Sequence, residues 1–537
     1  MRKFSSYGPV NKKQHYYVPR QELVDRACTQ LLGENPDEGG HYITVWAPRQ
    51  RGKTWVMREV LFSLRNEPQC DQFDVAKVNL QVLKTEHDIG EIFKYIVAQL
   101  ARSLNKQIAK PATLPEFEQV FTREALDKPL ILILDEFDAL NEAAINEIAG
   151  AFRNMYIRRQ DQVDRPSAER DYLLHGVALI GVRAVLGVES QTGSPFNVQR
   201  SVHIPNLTFE QVQEMYHWYE RESGQEVEQA VIERVFYETQ GQPGLVSWLG
   251  ELLTETYNEN PARALDMRAF QRVYAAAIKV LPNNNILNII SKAKQEPYRH
   301  VVLEIFRTTK KIPFTYDDPR LNFLYLNGVI DQEVGGQDDP LDEYYVKFPS
   351  PFVQKRLFNY FARTLFTAMD RPQPSFADWD DTIAEDSLNV QNLMRRYEIY
   401  LKENRDWLLK DAPRRADLRV YEAVYHFNLY RYLASFLQGH GGQVWPEFPT
   451  GNGRADLIIR YAGQIYGIEV KSFSTPFEYR KALGQAARYG EQLGLDEITL
   501  ALFVDAVDDA NRARYEVLYE DEETGTRVRP VFVATGT

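Results

Sequence analysis

Two groups of residues in this 537-residue chain have the types and spacing that phosphate chemistry requires. The first is Ala47-Pro48-Arg49-Gln50-Arg51-Gly52-Lys53-Thr54, a turn between the apolar run HYITVWAP and the helical pattern TWVMREVL. A turn entering a helix presents backbone N–H groups, here those around Arg51 and Gly52, to phosphate oxygens. Lys53 then reaches the β- and γ-phosphates, and the Thr54 hydroxyl is placed to ligate Mg2+. Ala47 stands where the motif usually has its first glycine.

About 80 residues later the run LILILDEFDAL (130–140) sets acids behind consecutive apolar residues, as expected for a strand buried on both faces. Its carboxylates fall at the C-terminal edge, where open α/β sheets bind ligands. Asp135 can hold Mg2+ through water, and Glu136 can orient or deprotonate an attacking water. The bland alternative makes DEFD an exposed helix cap. In ALIGVRAV (178–185), Arg183 is either a sensor of γ-phosphate charge or a surface arginine at a strand end. Arg153, Arg158 and Arg159 are candidates for an arginine finger supplied in trans.

The second group lies in the tail. Asp456 opens the strand DLIIRY, Ala462-Gly463 forms a turn, and QIYGIEVKS follows. With a two-residue turn, Tyr461 pairs with Gln464 and Asp456 falls opposite Glu469, with Lys471 on the same face as Glu469. A three-residue loop with a bulge at Gly463 would shift that register by one. Opposed carboxylates repel unless a cation lies between them. With Mg2+ present, the set could polarise a scissile phosphate while Lys471 offsets charge or positions the nucleophile.

Elements able to position these groups can be read from hydrophobic periodicity. Strands are predicted at Tyr42–Trp46, Asp74–Leu80, Leu130–Leu134, Gly176–Val182 and Ser201–Ile204, with helices at Thr54–Asn66, Ile89–Leu104 and Ala143–Arg159. This alternation predicts a parallel sheet with helices on both faces. A helical stretch follows to about Leu281. Helices at Arg299–Arg307 and Arg320–Asn327, then strands at Val329–Glu333 and Glu343–Phe348, suggest a winged helix. RPQPSFADWDD (371–381) reads as a linker, and a strand-rich tail closes the chain.

Composition narrows the partners. Lys plus Arg total 63 against 75 Asp plus Glu, a formal charge of −12, so nucleic acid must be met through a local basic or metal-filled groove. Arg454, Lys471, Arg480, Lys481 and Arg488 could line one. Two cysteines, Cys28 and Cys70, exclude a disulfide framework and a Cys-based zinc site within the chain. No apolar run suits a signal peptide or membrane span, and a cytoplasmic setting is expected.

YYVPR (16–20), APRQRGKT, LDEFD, SPFN (194–197) and GQPG (241–244) together resemble bacterial AAA-like ATPases of the STAND and archaeal-type P-loop group, over roughly residues 5–360. The resemblance implies ATP and Mg2+, with Walker A roles for Lys53 and Thr54 and Walker B roles for Asp135 and Glu136. It also implies a nucleotide-contacting turn at Gly241, Gln242 and Pro243. Glu422, Asp456, Glu469-Val470-Lys471 and the Gln485-to-Tyr489 helix resemble the PD-(D/E)XK nuclease superfamily, with Ala455 in place of the usual Pro. That resemblance implies metal ligation by Asp456 and Glu469, with Glu422 auxiliary, catalysis by Lys471 and substrate positioning by Gln485. Mn2+ is the alternative metal.

The expected fold is α/β: a P-loop NTPase core (1–205), helical lid (206–281), winged helix (282–370), linker and helices (371–414) and αβββαβ restriction-endonuclease-like domain (415–537). The expected activity is an ATP-controlled, Mg2+-dependent DNA endonuclease resembling bacterial anti-phage or mobile-element proteins. Its expected partners are DNA, a homo-oligomer formed on ATP binding and a protein bound through the winged helix. The alternatives are a non-cleaving, ATP-dependent assembly scaffold and a transposition-type adaptor that binds nucleic acid.

Overall fold

The computed structural model describes residues 1–6, 11–181, 199–307, 312–334, 343–365, 381–408, 422–438, 440–447, 456–472 and 476–536. They form two compact units, one of Met1–Lys292 with Thr315–Ile330, the other of Ala293–Phe314 with Asp331–Thr537. The region 282–370 is therefore divided between them. Its helices are Asn284–Ala293, Tyr298–Arg307, Pro319–Leu326 and Pro351–Leu365.

The first unit is built on β1 (Tyr42–Trp46), β2 (Asp74–Asn79), β3 (Leu130–Asp135), β4 (Leu174–Gly181) and β5 (Gln199–His203), in the order β2-β3-β4-β1-β5. Every pairing is parallel. The reason is visible in β3, where successive side chains serve opposite cores. Leu130, Leu132 and Leu134 pack with the helices Ile89–Leu104 and Glu142–Gln160, whereas Ile131 and Ile133 pack with Gln21–Leu32 and Lys53–Asn66. A strand buried on both faces is apolar throughout, and that is how LILIL reads.

One polar chain runs through this interior. His175 Nε2 lies 2.9 Å from the Leu32 carbonyl, so it carries the proton. Nδ1 then accepts from Ser167 Oγ at 2.8 Å, and Ser167 accepts from Arg159 Nη2 at 2.7 Å. Burial lowers the His175 pKa to about 3, with Arg159 pushing the same way.

The second unit contains a two-stranded ribbon, β6 (Asp331–Val334) with β7 (Tyr344–Lys347), and a six-stranded sheet. That sheet comprises β8 (Gln443–Glu447), β9 (Asp456–Tyr461), β10 (Gln464–Ser472), β11 (Glu497–Val504), β12 (Tyr519–Glu520) and β13 (Arg527–Ala534), ordered β12-β13-β11-β10-β9-β8. The Glu422–Gln438 helix precedes three antiparallel strands, and the Pro476–Gln492 helix then returns the chain to β11, parallel to β10. The elements from Glu422 to Val504 thus follow one another in the order αβββαβ. Leu457, Ile459, Ile468, Val470, Ala501 and Phe503 pack with the helices Val390–Leu408 and Glu422–Gln438 on one face. Leu500 and Leu502 pack with Ala482, Leu483, Ala486 and Ala487 on the other.

The β9–β10 turn settles the register. Tyr461 faces Gln464 and the ladder runs on to Leu457 facing Ile468, the register in which Asp456 and Glu469 are the next positions of their strands. The turn has two residues, both left-handed, Ala462 at φ 49° and Gly463 at φ 81°. An alanine there costs ~1–2 kcal/mol, which the pairing and burial of both strands must offset.

The strained turn and the buried histidine each carry a test. Ala462→Asn should raise the thermal midpoint of the second unit by roughly 2–4 °C, read by calorimetry; an unchanged or lower midpoint would contradict the strained turn. His175 is neutral in the folded state and protonates below about pH 6.5 when unfolded, so above that pH it adds no pH dependence. As pH falls towards about 3, the first unit should lose stability, about 2 kcal/mol of it by pH 5. Denaturant titrations of His175→Asn should show a shallower loss over that window than the wild type.

Candidate functional site

The carboxyl ends of β1, β4 and β3 lie side by side. Trp46 is level with Gly181, and Asp135 closes β3. After the buried Ala47, the chain turns through Gln50 (φ 58°) and Gly52 (φ 91°), and the helix starts at Lys53. Gly52 takes the left-handed backbone freely, whereas Gln50 needs support. That support comes from GQPG: Gly244 N–H donates to the Gln50 carbonyl at 3.2 Å, and Gln242 Nε2 donates to the Arg49 carbonyl at 3.2 Å. Gln242 and Gly244 thus stand at the loop.

Lys53 Nζ donates to the Ala47 and Pro48 carbonyls at 2.6 and 3.1 Å. Burial lowers its pKa to about 8, and Asp138, Glu136 and Asp135 oppose that shift. The loop's own carbonyls thus hold an ammonium that lacks full solvation, a setting in which phosphate charge is favourable. Thr54 Oγ1 donates to Asp135 Oδ1 at 3.4 Å. Asp135 is only 1% exposed, and its Oδ2 pairs with Lys77 Nζ at 2.8 Å. An adjacent hydroxyl and carboxylate fit the hard oxygen donors that Mg2+ requires. Bound there with ATP, Mg2+ would neutralise phosphate charge; the chain's own residues fix the loop and the two donors.

Glu136 sits in the left-handed region, at φ 57° and ψ 42°, where a non-glycine residue is strained. Burial, with Asp138 and Asp135 nearby, raises its pKa above the ordinary carboxylate value. Such a group suits orientation of water or proton acceptance. The N-terminal YYVPR segment clasps the same helix: the Tyr17 ring packs edge-on to Trp55 at 5.2 Å, and its hydroxyl donates to Glu59 at 3.1 Å.

Two of the three arginines expected as fingers make contacts around Tyr172. Arg159 is buried and bonded to Ser167 and to the Tyr172 carbonyl, while Arg158 donates to the Tyr172 hydroxyl at 2.8 Å. Burial and these bonds hold the Arg159 guanidinium within its own domain, whereas Arg158 is exposed. Arg183, SPFN (194–197), Arg454 and most of the 371–381 linker lie outside the described residues. Lys77 was not singled out from the sequence. Its signal is a charge between the apolar Ala76 and Val78 in the strand DVAKVN, two residues before Asn79, which pairs with Asp135.

In the second unit Glu469 and Lys471 form an ion pair, their side chains 3% and 9% exposed. Their neighbours across the parallel ladder are Leu500 and Leu502, so both project to the face covered by the Pro476–Gln492 helix. That helix carries Gln485, half-buried, one residue before the sheet-facing Ala486. The backbone places Asp456 at the start of β9 and Glu422 at the start of its helix, but their side chains lie outside the described set. Among the described residues, no group of three or more His, Cys, Asp or Glu could hold a metal. Nor does any described helix have the length and apolarity to cross a membrane.

Residues 5–258 match the family model of the AAA-like domain. The N-terminal part of the chain is an AAA-like P-loop ATPase domain. No curated protein matches the chain. Among solved structures, a Walker-type ATPase of Pyrococcus abyssi is similar at 16% identity and TM-score 0.42, covering 66% of this chain and 98% of that one. The Aeropyrum pernix ORC1 protein in complex with DNA is similar at 14% identity and TM-score 0.32, covering 65% and 95%. A variant of Thermotoga maritima RuvB is similar at 14% identity and TM-score 0.31, covering 60% and 92%. The ATPase assignment rests on the family match and the loop geometry.

The docking of GQPG on the AAA-like domain's loop can be tested at Gly244. A Cβ there would lie 2.3 Å from Gln50 Oε1 and 2.7 Å from Gln50 Cβ. Gly244→Ala should weaken nucleotide binding by about tenfold, equivalent to ~1.4 kcal/mol, read by titration with a fluorescent ATP analogue. Wild-type affinity in a folded variant would show that the turn does not support the loop.

Proposed function

We propose that ATP binding and hydrolysis in the AAA-like domain control a DNA endonuclease in the second unit. The observation that supports this most is the buried Glu469–Lys471 pair on the helix-covered face of a sheet built in αβββαβ order. Apolar residues of similar size would usually serve a core as well as an ion pair does, so a chemical role accounts for the pair better than stability.

In this reading Asp456 and Glu469 hold Mg2+, or Mn2+, with Glu422 as an auxiliary ligand. The ion supplies polarisation of the scissile phosphate and a bound water of lowered pKa. Lys471 places its ammonium where charge develops on that phosphate, and Gln485 positions the substrate. Within the ATPase domain, Lys53 and the backbone of Arg51 and Gly52 bind phosphate. Thr54 and Asp135 hold Mg2+, Glu136 orients water, Arg183 senses the γ-phosphate, and Gln242 and Pro243 contact nucleotide. Gating by ATP suits an activity that would harm its host if unrestrained. We place the protein in bacterial anti-phage defence or mobile-element biology, in the cytoplasm, with self-association on ATP binding and a protein partner at the 282–370 region.

Supercoiled plasmid incubated with Mg2+ or Mn2+, with and without ATP, tests the reading. Lys53→Ala should abolish nucleotide binding. Asp456→Ala and Lys471→Ala should each abolish cleavage and leave ATP hydrolysis at the wild-type rate. Undiminished cleavage by both tail variants would overturn the site. DNA binding without cleavage by the wild-type protein would favour a scaffold or adaptor.

A further inference from the structure

Asp135 closes β3 almost wholly buried, and its charge there needs an opposite one. Lys77 provides it, reaching from the neighbouring strand to Asp135 Oδ2 at 2.8 Å, while Thr54 holds Oδ1 at 3.4 Å. The two oxygens of one carboxylate are thus divided between a cation of the protein and the hydroxyl that stands ready for the metal. We propose that Lys77 is a built-in competitor of Mg2+ at the nucleotide site, holding Asp135 in the metal-free state and setting the Mg2+ concentration at which the nucleotide complex assembles. This rests on the reading of Lys53, Thr54 and Asp135 as the nucleotide and metal site.

The competition is electrostatic. A divalent ion held by Thr54 and Asp135 would share one carboxylate with an ammonium, and like charges within a few ångströms disfavour each other strongly in a buried setting. Lys77 must therefore give way or lower the affinity of the metal. It can move, since its side chain keeps 18% of its surface in solvent against 2% for Asp135. Lys77 is accordingly a positioning residue: it fixes Asp135 before the metal arrives and yields afterwards. Removing it should leave an acid that is costly without metal and a better ligand with it.

The test uses the full-length protein with Lys77→Met, which keeps the length of the side chain, and Lys77→Arg, which keeps its charge. Binding of a fluorescent ADP analogue is measured in EDTA and then across a Mg2+ titration, alongside thermal unfolding with and without Mg2+ and ADP. In Lys77→Met the half-saturating Mg2+ should fall by about tenfold relative to wild type, and Mg2+ with ADP should raise the unfolding midpoint by more than in wild type. Lys77→Arg should remain close to wild type in both. Superimposed Mg2+ curves for wild type and Lys77→Met would overturn the proposal, as would a loss of Mg2+ response in Lys77→Met. If Lys77→Met does not fold, Lys77→Gln takes its place under the same criteria. Absence of nucleotide binding by the wild type at any Mg2+ concentration would instead overturn the underlying site.

Discussion

The AAA-like domain is organised around one constraint, a carboxylate carried out of water at the end of a strand that is buried on both faces. β3 can run between two helical layers only because its side chains are apolar, and the first polar group after that run, Asp135, emerges where the layers part. A buried charge must be compensated. Lys77 and Thr54 converge on it from β2 and from the start of the loop helix, and the loop is thereby tied to the sheet. The parallel register then brings Trp46, Gly181 and Asp135 to a common edge of the sheet, which collects what three distant stretches of sequence supply.

Much of this was legible in the sequence for a physical reason: a strand buried on both faces, or a helix with one apolar stripe, leaves a strong periodic signal. Tyr42–Trp46 and Ile89–Leu104 have the bounds expected, and LDEFD falls at the end of its strand. Register was harder. Ala462-Gly463 left a two-residue turn and a bulged loop both open, because alanine does not favour positive φ. The structure has the two-residue turn, since the flanking strands outweigh that local preference.

What escaped the sequence reading were long-range polar contacts. Lys77 looks like an ordinary charge in a strand until the parallel pairing of β2 with β3 puts it beside Asp135. Arg159 looks like one of three exposed basic residues on a helix until the return of the chain through Ser167, Tyr172 and His175 covers it. Neither fact has a local signature, since each depends on which element arrives alongside. Helical spacing alone gives the faces of a helix, not their neighbours.

Both units hide a carboxylate beside a lysine, yet the two pairs differ in mobility. Glu469 and Lys471 are two residues apart on one strand, share a face beneath a helix, and are almost equally buried. Both lie on the face covered by the Pro476–Gln492 helix, so the fold itself keeps the ammonium beside this acid. Asp135 and Lys77 come from different strands, and only the acid is deeply buried. There the lysine can withdraw into solvent when another cation takes its place. The first arrangement suits a fixed site whose charge balance is set by the fold. The second suits a switch, because the same carboxylate has two cationic partners of different valence, and the concentration of one decides which it keeps.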